Sequence, residues 1–227
     1  MINFFGTRIR GSAAILALGA ALLAPAASAI PILVFGQNGL TSPVTGVAGV
    51  GSTHITVAAA PITITGIVTG GTPISASLTL DVTSIDAAVV SGGDLTQHFQ
   101  GNFSITGGGN NYLSGAFIDL VAGAFGGNAL TLSASTPPVD HVSFTSSVIP
   151  IASLGLDRAL SFAFTGVSPA VNICGTGAQA TLCSFTAAVA GNMSANANQV
   201  IPIPEPASLV LIGLGLALLS LVRRRRF

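Results

Sequence analysis

The stretch Ala76-Ser77-Leu78-Thr79-Leu80-Asp81-Val82 sets an aliphatic residue at every second position and a polar one between. Successive side chains of an extended chain point to opposite faces, so this period of two describes a strand with one buried face. The habit recurs along the chain. Phe99, Phe103 and Ile105 alternate with Gln100, Asn102, Ser104 and Thr106. Ile62 and Ile64, Leu130 and Leu132, Val142 and Phe144, and Leu160, Phe162 and Phe164 do the same in shorter runs. Punctuation separates these runs at Gly70-Gly71, Gly92-Gly93, Gly107 to Asn111, Gly126-Gly127-Asn128 and Pro137-Pro138. Such residues supply a positive φ or lock it, and so mark turns. No long stretch carries a 3.6-residue apolar stripe; Ala87 to Val90 reads at most as a short helical start, stopped by Ser91-Gly92-Gly93. Many short strands with frequent turns predict an all-β fold, an antiparallel β-sandwich over residues 30–199. A Gly-rich β-solenoid is the alternative, and the lack of a fixed-length repeat counts against it.

The composition narrows the function. The chain has 227 residues, 50% hydrophobic and only 6% charged, with no Lys and no Trp. Ordinary soluble domains are about 25% charged. Between Ile30 and Pro204 six aspartates face a single base, Arg158. Nucleic-acid binding is excluded on this ground, because phosphates need clustered Lys and Arg.

Both ends read as processing signals. Arg8 and Arg10 precede an apolar run, and Ala27-Ser28-Ala29 supplies the small residues of an A-x-A site. Basic start, apolar centre and cleavage site in that order describe a secretory signal peptide over residues 1–29, with Ala27 and Ala29 as the peptidase positions. At the other end, Ala207 to Val222 is free of charge. As a helix it would be about 24 Å long at 1.5 Å per residue. That is short of the ~30 Å hydrocarbon core, a mismatch that snorkelling arginines and local thinning absorb. Arg223, Arg224, Arg225 and Arg226 then hold the tail end in the cytoplasm as a positive-inside anchor, so the expectation is one C-terminal transmembrane helix.

Pro204-Glu205-Pro206, the apolar run and the terminal arginine cluster together resemble the PEP-CTERM sorting signal of bacteria with exosortases. The resemblance covers residues 200–227 and the export signal that accompanies them, not the middle of the chain. It implies recognition by an exosortase, cleavage near the motif, and delivery to the cell surface or an extracellular polymer layer. The partners so implied are the exosortase, the export machinery and, transiently, the membrane. Pro202, Pro204 and Pro206 alternate, which presses the residues before them into extended geometry. Such a segment stays accessible to a membrane enzyme. Glu205, the one glutamate in the chain, marks it.

Cys174 and Cys183 are the two cysteines. An even pair in an exported chain reads as a disulfide. The glycines between them fit a loose G-x-G-x-x-A pattern, but no helix follows, so a dinucleotide site fails its context. No cofactor and no dedicated metal site is expected; Asp81, Asp86 and Asp94 lie close enough in sequence to share a calcium ion, without the spacing of a calcium loop. His54, His98 and His141 stand alone, and neither a nucleophile elbow nor a zinc motif is present. The residues favour a non-catalytic structural protein of the cell surface or extracellular matrix. The alternative is a carbohydrate-binding or adhesin-type module with an extracellular polysaccharide as partner, for which Tyr112 is the one exposed-aromatic candidate. A hydrolase is opposed by the missing motifs.

Overall fold

The computed structural model describes residues 29–39, 43–135 and 142–197. The transmembrane helix expected after Ala207, the peptidase position Ala27 and the turn at Pro137-Pro138 lie outside them; among the described residues no helix is long and apolar enough to cross a membrane.

The described chain is built of strands: β1 (Ile30–Gln37), β2 (Val44–Ala48), β3 (Thr53–Ile67), β4 (Ile74–Ser84), β5 (Val89–Ser91), β6 (Asp94–Gly107), β7 (Asn110–Ala124), β8 (Ala129–Ser135), β9 (Val142–Thr145), β10 (Leu154–Ser168), β11 (Ile173–Cys174), β12 (Thr181–Leu182) and β13 (Phe185–Ala197). Every pairing is antiparallel. The all-β antiparallel expectation therefore holds, and the solenoid alternative, which would stack its rungs in parallel, does not. The turns fall at the expected glycines. Ser91 pairs with Asp94 across Gly92 and Gly93, at φ +64° and +95°, the left-handed pair a two-residue hairpin requires. Ala87 to Val90 does not form a helical turn: the Ala88 N–H donates to the Ala180 carbonyl, and β5 pairs with β6.

Two walls face each other across a common core, as in a sandwich, but hydrogen bonding continues around both sides. Following the pairs leads from β1 through β3, β4, β6, β7, β8, β10 and β13 back to β1. The result is a closed, up-and-down barrel of eight strands. Two of its staves are broken: β2 continues the line of β1 between β3 and β13, and β9 continues β8 along β7. Eight strands enclose a space just wide enough for side chains to fill. Phe103 is the hub, with ring centroids 5.6 Å from Phe162, 6.2 Å from Phe144 and 6.3 Å from Phe117; Phe35 lies 6.2 Å from Phe162. These rings come from β1, β6, β7, β9 and β10, so both walls share one core. Each such pair contributes about 0.5–1.5 kcal/mol beyond its buried area.

Glycine makes room for the rings. Phe35 sits opposite Gly191 on β13, and Phe162 sits opposite the same residue from the other side. A Cβ on Gly191 would run into the Phe35 ring. Phe103 and Phe144 likewise flank Gly115. A large ring covering a glycine on the next strand lets a small barrel curve sharply and stay filled.

Candidate functional site

The staves alternate in direction, so the barrel has two distinct poles. Ile30 pairs with Ala195, and β13 ends at Ala197 beside Leu154. The start and end of the domain thus emerge together at one pole. Ala29 precedes β1 at this pole. The sorting residues Pro204, Glu205 and Pro206 and the anchor Arg223 to Arg226 lie outside the described residues, downstream of the same pole.

The opposite pole is capped. The chain between β10 and β13 folds over it as the β11–β12 hairpin, closed by a Cys174–Cys183 disulfide with Cα atoms 5.0 Å apart. Thr181 and Leu182 plug the opening and are buried. Buried Gln97 of β6 holds the plug: its Nε2 donates to the Asp86 carbonyl at 2.8 Å and to Thr181 Oγ1 at 3.1 Å, and its Oε1 accepts from the Leu182 N–H at 2.9 Å. Buried Thr53 joins in, its hydroxyl bonded to Thr181 Oγ1 and to the Leu182 carbonyl, and its N–H donating to Ser84 Oγ. No described buried side-chain polar atom lacks a partner. The disulfide expected from the sequence is present, and the network beneath it could not be read from spacing.

The outer wall carries the histidines. His54 of β3 bonds Asp81 of β4 through Nε2 at 2.8 Å, and His98 of β6 bonds Asp86 through Nδ1 at 2.5 Å. All four side chains are substantially exposed. Asp86 also accepts from the His98 N–H. The carboxylates thus serve separate histidines, and among the described residues no group of three or more His, Cys, Asp or Glu could hold a metal ion. His141 lies outside the described residues. Tyr112 is partly buried against the core rather than displayed.

Beside Asp81 the wall is hollowed into an open groove of about 730 Å³. Its shape follows from register. One row across the strands runs Asp81, Asn102, Ala116, Ser143, on β4, β6, β7 and β9; the next runs Thr83, Gln100, Ile118. Ala116 is the small residue in the middle of its row. β7 pairs with β9 up to Phe117 and with β8 from Leu120, so the groove opens where one stave gives way to the next.

Residues 202–226 match the PEP-CTERM protein-sorting motif, spanning the Pro-Glu-Pro, the apolar run and the arginines. The match identifies the tail as that of an exosortase substrate and implies export and sorting to the cell envelope. No curated protein and no solved structure matches the chain.

Proposed function

We propose that this exosortase substrate is a non-catalytic module displayed at the cell surface, where the barrel becomes part of the extracellular polymer layer. The observation that carries the proposal is the pairing of Ile30 with Ala195 in a barrel whose interior is filled by aliphatic and phenylalanine side chains. A filled interior leaves only the outer wall and the capped pole to meet other molecules. Chain ends gathered at one pole let the domain hang from its tail with the capped pole and wall outward. The disulfide and the charge-poor, hydroxyl-rich wall suit a structure that must persist outside the cell.

The sorting half of the proposal is tested by two variants that should fail differently. Replacing Glu205 with Ala leaves the apolar run and arginines intact, so the protein should insert and accumulate as a full-length membrane form. Replacing Arg223 to Arg226 with Ser weakens the positive-inside anchor, so the tail should slip outward or be released unprocessed. Fractionation and immunoblotting distinguish the two; a Glu205→Ala protein that matures and reaches the surface like the wild type would overturn the reading. The non-catalytic half fails if the purified mature protein hydrolyses any of a broad panel of polysaccharide, ester and peptide substrates above background.

A further inference from the structure

We infer that the groove across β4, β6, β7 and β9 is a binding site for a neutral polysaccharide. The inference goes beyond the sorting route and does not depend on it. Gln100 and Asn102 stand two residues apart on the outward face of β6, both exposed. Among the described residues their carboxamides have no protein hydrogen-bond partner. Two of the polar groups around them are engaged, Asp81 with His54 and Ser143 Oγ with the Ala116 N–H and carbonyl, while the Thr83 hydroxyl opposite Gln100 is a further outward polar group. Each free carboxamide offers both a donor and an acceptor in one plane. That is the complement of neighbouring sugar hydroxyls, which also donate and accept. Between the amides and β9 the floor is Ala116 and Ile118, an apolar strip suited to the C–H face of a sugar ring.

Charge selects among polymers. The groove contains one carboxylate and no cation, and the described residues carry five aspartates against one arginine, a net charge of −4. Acidic polysaccharides are repelled; neutral ones are not. Four adjacent strands at about 4.8 Å spacing make the groove roughly 14 Å wide across the strands, room for a short run of sugar rings. Phe117, the one aromatic residue of the lining, is buried toward the core and offers no platform, so recognition rests on hydrogen bonds.

Affinity electrophoresis of the mature exported protein tests this with dextran, galactomannan and alginate cast separately in the gel. The wild type should be retarded by at least one of the neutral polymers, insensitively to added salt, and not by alginate. The Gln100→Ala/Asn102→Ala double variant should melt like the wild type and lose about tenfold or more in affinity, since two hydrogen-bonding groups are removed. Ser133→Ala, on the β8 wall, should bind like the wild type. Three results would overturn the inference: no retardation by either neutral polymer, retardation by alginate alone, or neutral-polymer binding that survives the double substitution in a folded protein.

Discussion

Substituting Gly191 with Ala adds a single methyl group against the Phe35 ring inside the barrel. Gly191 lies inward on β13, with Phe35 of β1 on one side and Phe162 of β10 on the other. The added Cβ would fall inside the van der Waals radius of the Phe35 ring, which is itself only 2% exposed and has no open space to rotate into. Forcing a methyl group into such a core costs about 1–3 kcal/mol. For a domain of this size each kcal/mol lowers the melting midpoint by about 2–4 °C, so the expected loss is about 2–12 °C. Gly36→Ala is the control, because a Cβ there meets nothing within 4 Å and should leave the midpoint nearly unchanged. The sharper test is the double variant Phe35→Leu/Gly191→Ala. Leucine withdraws the ring edge, so part of the Gly191→Ala penalty should disappear, giving a favourable coupling of about 0.5–3 kcal/mol. Thermal and denaturant melts of the mature domain read both numbers. If Gly191→Ala melts with the wild type, or if the two substitutions simply add, the ring-over-glycine account of this barrel is wrong.

Three further outcomes are expected. Gln97→Met keeps the volume but strips the Leu182 N–H and the Asp86 carbonyl of their partner, while the Thr181 hydroxyl keeps Thr53; at about 1–3 kcal/mol per orphaned group the cap should loosen, read as faster amide exchange at Thr181 and Leu182. Cys174→Ser should cost about 2–3 kcal/mol, the loop-entropy value for a short closed loop, and free thiols at both positions in the native exported protein by alkylation mass spectrometry would refute the disulfide. The exported protein should begin at or next to Ile30, and recovery of intact Met1 by terminal mass analysis would refute the signal-peptide reading.

The sequence was legible where large aliphatic or aromatic side chains alternate with hydroxyls, as in β4, β6 and the second half of β10. It was opaque in β13, whose inward residues include Ala187, Gly191 and Ala195. Gly191 leaves its space to the Phe35 ring, and an inward period in which alanine and glycine interrupt Phe185, Val189 and Met193 barely rises above its outward alanines. In β7 the contrast fails the other way, since Ile118 and Leu120 face outward while Gly115 faces in. β3 loses its period at a bulge between Val57 and Ala60, where Ala59 takes a φ of +52°. Without β7 and β13 the closure of the sheet could not be inferred, and strands alone suggested a sandwich. The His–Asp pairs and the groove depend on cross-strand register, which a single strand's pattern does not contain. The sorting tail was legible throughout, because its three parts are contiguous.

The ring of strands is closed by joining the first stave to the last, and if the expected signal peptide leads the chain out N-terminus first, that joint has a timing. β13 supplies the wall between β1 and β2 on one side and β10 on the other, so three strands wait with bare edges until Phe185–Ala197 has crossed the membrane. Bare edges invite pairing with other chains, and pairs so far apart in sequence form slowly. Few residues separate Ala197 from Pro204. If the apolar run from Ala207 to Val222 halts in the membrane, as the anchor reading expects, it would hold the last stave beside its partners during the vulnerable interval. A substrate clipped only after its barrel has closed would leave no edge along that joint exposed, so on this reading the order of folding and cleavage, not cleavage alone, would set how much intact protein is delivered.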